Sequence, residues 1–117
     1  MPHRNWKLRI TDIIEAIEKI LSYVEGMAFD EFVDDPKTID AVIRNITVIG
    51  EAARNVPEEV VNRHPSLPWR EMRDIRNVVV HEYFGVDNNV VWDTLQRNLP
   101  PLLPELKRLI GVEETDV

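Results

Sequence analysis

The sequence predicts an all-α fold, an antiparallel helical bundle, and three observations predict it. Apolar residues recur at i, i+3, i+4 and i+7 through the long windows 6–24 and 35–55, the signature of a one-sided helix. Proline or glycine closes each long window: Gly26 after the first, Pro57 after the second, Gly85 after a third. The one run that favours a strand, Val78-Val79-Val80, has no second strand-like run to pair with.

Each element follows in order. The first helix is expected over Trp6–Val24, with Ile10, Ile13, Ile14, Ile17, Leu21 and Val24 as its apolar stripe and Gly26 just past its end. Residues 27–35 read as a short helical turn or loop. The second long helix starts at Asp35, a side chain suited to capping, followed by Pro36 in the first turn. It runs to about Asn55, with Ile39, Val42, Ile43, Ile46, Ile49 and Ala53 facing the core. Arg44, Thr47, Glu51 and Arg54 form a second, polar stripe at helical spacing. Gly50 lies mid-helix, where it costs about 1 kcal/mol relative to alanine. Close approach of another helix would account for it, and so would ordinary tolerance of one glycine.

Residues 57–68 read as a short helix and a loop. Residues 69–84 are expected to be helical, because Trp69, Met72, Ile75, Val79 and Tyr83 keep one face. Asp87 can cap a helix over 88–99, broken by Pro100 and Pro101, and a last helix over 102–110 is expected to end at Gly111. The reading is one domain over 1–111 and a loose acidic tail over 112–117. Val78, Val79 and Val80 cover nearly all sides of their helix, more apolar surface than one small bundle hides, so a two-fold homodimer is expected.

Composition narrows the function. The 117 residues suit one domain, and an apolar share of 44% suits a folded core. The chain has no cysteine, which excludes disulfides, thiol catalysis and zinc–thiolate sites. His3, His64 and His81 lie far apart, so no metal site is expected. No apolar run reaches the roughly 18 residues of a membrane span, and the start lacks the apolar stretch of a secretory signal; a cytoplasmic protein is expected. The net charge of −7 rules out binding polyanions through the average field, so any nucleic-acid site is local. The window 63–76, with Arg63, His64, Arg70, Arg73 and Arg76, is the best candidate.

The chemistry concentrates just downstream, in Arg73-Asp74-Ile75-Arg76-Asn77-Val78-Val79-Val80-His81-Glu82-Tyr83-Phe84. On a continuous helix Asn77 and His81 are i, i+4 neighbours, so Asn77 can fix the imidazole tautomer. Arg76 reaches the same space, and Tyr83, seven residues on, shares its face. A guanidinium, an imidazole and a phenol suit metal-free RNA cleavage: the 2′-hydroxyl attacks phosphorus, histidine moves a proton, and arginine stabilises the phosphoryl charge. One histidine per chain is thin for acid–base work, whereas a dimer offers two. The same residues also have plainer roles. A lone histidine at a helix end is more often structural, Arg76 can pair with Asp74 or Glu82, and Tyr83 can pack in the core.

This stretch, with Trp69 before it and Phe84-Gly85-Val86-Asp87 after it, resembles the Rx4HxY motif of the HepT-like toxins, members of the HEPN superfamily of helical nucleases. The segment Arg44-Asn45-Ile46-Thr47-Val48-Ile49-Gly50-Glu51-Ala52-Ala53 and the pair Val91-Trp92 are similar to other marked parts of that family. The resemblance implies a HEPN bundle paired as a homodimer, with both sites in one interfacial cleft, and a metal-independent endoribonuclease without cofactors. It implies Arg76 and His81 as the catalytic pair, Asn77 and Arg73 beside them, and Glu51 and Arg44 lining the cleft. It further implies a toxin of a type VII-like toxin–antitoxin pair, whose partner, an MNT-type nucleotidyltransferase antitoxin, attaches AMP to Tyr83. The alternative is a non-catalytic module that binds such a nucleotidyltransferase, or a nucleotide, through the same cleft.

Overall fold

The computed structural model describes residues 5–81 and 85–115, with side chains at all of these save 80, 81 and 112–115. Seven helices carry the described chain: α1 (Trp6–Val24), α2 (Phe29–Val33), α3 (Pro36–Arg54), α4 (Glu58–Arg63), α5 (Trp69–Val79), α6 (Asn88–Asp93) and α7 (Leu102–Thr115). The fold is all-α, as the spacing of apolar residues predicts. α1 lies along α3, α3 packs on α5, α7 covers α1, and the short α2 and α6 dock on α3 and α5.

The core is the meeting of the predicted stripes, joined by Ile20, which the predicted stripe of α1 left out. Ile10, Ile13, Ile17 and Ile20 of α1 and Val42, Ile46 and Ile49 of α3 are fully buried, each side chain contributing about 1.5–3 kcal/mol on leaving water. Ile14, Leu21, Ile39 and Ile43, expected in the core, sit half-buried at its edge. Starts and stops follow local hydrogen bonding. Asn5 caps α1 by accepting from the Lys7 amide at 2.8 Å. Asp35 caps α3 by accepting from the Thr38 amide at 3.2 Å and its hydroxyl at 2.8 Å. The Thr38 hydroxyl bond, then the amide bond, holds the Asp35 carboxyl below its ordinary pKa of 3.8. Asp87 caps α6 by accepting from the amides of Asn89 and Val90. Trp92 then anchors α6 to α2, its ring 5.2 Å from that of Phe32 and 6.1 Å, edge-on, from that of Phe29.

Three segments depart from the expected helices. The helix expected over 69–84 ends at Val79. Val80–His81 is extended (β1) and pairs antiparallel with Gly85–Val86 (β2), with Val80 opposite Val86 and His81 opposite Gly85. The valine run supplies the reason: β-branched residues tolerate the last helical turn less well than an extended strand. A second strand does exist, two residues long. Gly85 opens it at φ +85°, a left-handed conformation that costs glycine little, and the Asp87 amide takes the Val79 carbonyl at 3.3 Å. The segment after α6 widens into a π-helical turn over Thr94–Asn98, where the Leu99 amide reaches back to the Thr94 carbonyl. The last helix, expected to stop at Gly111, continues to Thr115.

α3 and α5 are locked by reciprocal arginines. Arg54 Nε donates to the Arg73 carbonyl at 3.2 Å. Arg73 Nε donates to the Ala53 carbonyl at 3.3 Å, its Nη2 to the Val56 carbonyl at 3.5 Å, and the same nitrogen pairs with Glu58 at 2.9 Å. Arg73 thereby adds a donor to carbonyls at, and just beyond, the C-terminal end of α3. One turn earlier Gly50 faces α5. A Cβ there would stand 3.5 Å from the Arg73 carbonyl oxygen, 3.6 Å from Ile75 Cγ2 and 3.7 Å from the Met72 carbonyl oxygen. The expected helix approach is therefore real, yet it leaves room for a methyl group. Gly50→Ala is expected to stabilise the protein by about 1 kcal/mol through helix propensity. Gly50→Leu, which must push α5 away, is expected to destabilise it by about 1–3 kcal/mol. Urea unfolding checks both, and a destabilised Gly50→Ala would refute this reading of the contact.

Candidate functional site

The candidate site is built where α5 gives way to β1. α5 puts Arg76 and Asn77 in its last turn, and both are exposed. Two residues after the helix ends, the main chain of His81 is held in the ladder opposite Gly85. The continuous helix that would make Asn77 and His81 i, i+4 neighbours stops at Val79. The helical face expected to run from Arg76 to Tyr83 likewise ends with α5 at Val79. The imidazole of His81 and the whole of Tyr83 lie outside the described residues, as does Glu82.

Among the described residues Arg76 makes no hydrogen bond and no ion pair, including none with its near neighbour Asp74. Its cation lies at a helix C-terminus, where the backbone carbonyls favour positive charge. The arrangement is an arginine on a rigid helical frame, five residues ahead of a histidine whose backbone is set by a short ladder. A guanidinium so placed can clamp a phosphate with two parallel N–H donors.

The remaining candidates separate into two groups. Arg73, expected beside Arg76 as a supporting cation, is instead committed to the α3 carbonyls and Glu58, so it positions α5 rather than offering charge to a ligand. Arg44 and Glu51 are exposed on α3, on the stripe whose last member, Arg54, touches α5 at Arg73. That stripe runs back from the lock along α3, and Arg76 lies one turn of α5 beyond it. The basic window 63–76 does not form a uniform patch. Arg73 is neutralised by Glu58, and Arg70 lines a recess of about 600 Å³ together with Glu71 and Asp74.

Two residues gain importance that their patterning did not announce. Arg54 reads as one more member of a polar stripe, but its Nε reaches α5. A cation in the last turn of α3, opposite an arginine-rich α5, was the available signal. Asn45 is buried within α3, its Nδ2 donating to the Ala41 carbonyl at 2.9 Å, and a polar residue between core positions Val42 and Ile46 was the signal there. Among the described residues no three His, Asp or Glu side chains gather into a set able to hold a metal ion, and no helix is long and apolar enough to cross a membrane.

Comparison with known proteins bears on this geometry. The family model described as "Ribonuclease HepT-like" matches residues 13–109, from within α1 to within α7. The chain is 42% identical over 106 residues to "Probable ribonuclease HepT" of Thermococcus cleftensis, covering 91% of this chain and 96% of the relative. It is 37% identical over 110 residues to "Putative RNase MJ0127" of Methanocaldococcus jannaschii, covering 94% and 91%. It is 34% identical over 102 residues to "Putative RNase TTE0752" of Caldanaerobacter subterraneus, covering 87% and 91%. No solved structure matches the chain. A family match across almost the whole helical frame, with relatives similar over nearly their full length, makes the chain a member of the HepT-like ribonuclease family.

Proposed function

We propose that this protein is an endoribonuclease toxin that cleaves RNA without a metal ion, with Arg76 and His81 as its catalytic residues. The observation that carries the reading is Arg76: exposed, without a partner among the described residues, and held at the end of a locked helix just before His81. In the proposed reaction the substrate's 2′-hydroxyl attacks the adjacent phosphorus. The bond to the 5′-oxygen breaks, and a cyclic 2′,3′-phosphate forms. Arg76 binds the non-bridging oxygens as their charge grows, and His81 moves a proton to or from the reacting oxygens. Asn77, in the same turn as Arg76, is a further contact to the strand, and Arg44 and Glu51 line its approach.

Removing either catalytic group leaves the helical frame alone, since Arg76 is exposed and His81 lies beyond the end of α5. Arg76→Ala and His81→Ala are each expected to lower the rate of RNA cleavage by about 10²–10³-fold, with unchanged circular dichroism. Cleavage by the wild type is expected to persist in EDTA. Full activity of His81→Ala, or loss of wild-type activity in EDTA, would defeat the mechanism. A well-folded wild type that leaves RNA intact and still binds a nucleotidyltransferase would favour the non-catalytic module instead.

Assembly and control complete the proposal. Val78 is 58% exposed, beside an apolar recess of about 230 Å³ lined by Met72, Ile75, Leu99 and Leu102. Such a patch next to Arg76 supports a homodimer that brings two sites, and two imidazoles, together. The proposed regulator is an MNT-type nucleotidyltransferase antitoxin in the cytoplasm. Its reaction joins the Tyr83 phenolic oxygen to the α-phosphorus of ATP and releases pyrophosphate. The attached phosphate then competes with RNA for Arg76. Co-expression with such a nucleotidyltransferase and mass spectrometry test both parts. Native spectra are expected to show two chains per particle, and denatured spectra added AMP units on Tyr83 that are absent from Tyr83→Phe. A monomer, or an unmodified protein that the partner still inhibits, would count against the corresponding part.

A further inference from the structure

The start of α1 and the end of α3 enclose an open-mouthed recess of about 810 Å³, set apart from Arg76 and His81. Its lining includes Asn5, Trp6, Lys7, Arg9, Arg54 and Asn55, with three cations and no carboxylate among the described lining residues. In a chain of net charge −7 such a concentration is unusual. Arg9 adds a second observation. Its Nε is buried and finds no hydrogen-bond partner among the described residues, an arrangement that costs energy unless something supplies an acceptor. Nε itself is covered, so an anion in the recess meets the part of Arg9 that lines it and adds an acceptor beside a guanidinium that the protein leaves under-bonded. Arg54 uses Nε on the Arg73 carbonyl, which leaves the outer nitrogens of its fork for a ligand.

The recess is also joined to the proposed catalytic site. Arg54 touches α5 at Arg73, and Arg76 stands three residues, about 4.5 Å of rise, further along. Arg54 lines the recess and bonds α5, so it links the helix that carries Arg76 to the recess wall. Half-buried Trp6 lies at its wall with the Lys7 ammonium 5.9 Å from the ring centroid, a pairing of cation and aromatic surface that suits a phosphate and its base.

We propose that this recess is a second RNA subsite, in which Lys7, Arg9 and Arg54 bind phosphodiesters flanking the one that is cleaved. The inference rests on the ribonuclease reading for its ligand, and its test separates the two. The probe is a single-stranded 2′-O-methyl oligoribonucleotide, which carries the same phosphates but has no free 2′-hydroxyl to attack. Its affinity is measured against salt concentration for the wild type, for Lys7→Gln/Arg9→Gln, and for Lys107→Gln, a cation removed elsewhere, where it pairs with Glu18.

Each phosphate contact to a single strand contributes about 0.7 to the slope of log affinity against log salt, so losing two is expected to flatten that slope by about 1.4. Affinity at low salt is expected to fall about tenfold. Lys107→Gln is expected to keep the wild-type slope. Lys7→Gln alone, which leaves the half-buried Arg9 in place, is expected to flatten it by about 0.7, so the test survives if the double variant does not fold. An unchanged slope in the Lys7 variants, or an equal loss in Lys107→Gln, overturns the subsite. Cleavage of the unmethylated strand is followed in parallel. A wild type that binds with the expected slope but does not cleave overturns the ribonuclease reading and leaves the subsite standing.

Discussion

Where α3 meets α5, the helices are held by their own main chains rather than by apolar contact alone. Arg54 donates across to the Arg73 carbonyl, and Arg73 returns the reach to the Ala53 and Val56 carbonyls while pairing with Glu58. Such bonds are directional, so they fix the rotation and slide of α5 on α3, which interchangeable methyl contacts do much less well. The Gly50 approach sets the spacing at the same junction. The position of Arg76 follows from it, since Arg76 is a rigid turn beyond Arg73 on the locked helix. So does the shape of the basic recess, because Arg54 belongs to both the lock and the recess wall. This chain thus spends two arginines, Arg54 and Arg73, on holding the frame.

The second constraint is the change from helix to strand at Val79–Val80. A helix continued to residue 84 would hold Asn77, His81 and Tyr83 on a rod, with their relations set by helical spacing. The break replaces the rod with a short ladder closed by Gly85 in its left-handed conformation. His81 then owes its place to pairing with Gly85 rather than to the helix that carries Arg76. The two residues proposed as the catalytic pair thus come from different local structures, joined by three valines. Val79 is fully buried and Val78 is exposed, so the junction is pinned on one side and open on the other.

How much of this was legible in the sequence follows from which interactions are local. Apolar spacing reads the bounds of α1 and α3 closely, because Asn5, Asp35 and the prolines act within a turn of the residues that they punctuate. The same locality made Asp87 recognisable as a cap. The valine run was ambiguous, since its strand preference needed a partner and Gly85–Val86 is too short to announce itself as one. Arg76, Asn77 and His81 were picked out by residue type and motif, and their assumed alignment depended on the helix that the run ends. Arg73 shows the limit most clearly. Its type and position suit ligand binding, yet its partners lie about 20 residues away in sequence, where no local pattern reveals that its charge is already used. The recess of Lys7, Arg9 and Arg54 is non-local in the same way, assembled from two chain segments nearly 50 residues apart.

The central claim is that Arg76 and His81 serve one chemical step although one stands on a helix and the other on a strand. A double-mutant cycle tests it most directly, with single-turnover RNA cleavage measured for the wild type, Arg76→Ala, His81→Ala and the double variant. Groups that act on one transition state are strongly non-additive. The account predicts that the double variant cleaves no more than a few-fold more slowly than the slower single variant. Losses that multiply in full would show two independent contributions and contradict the shared site.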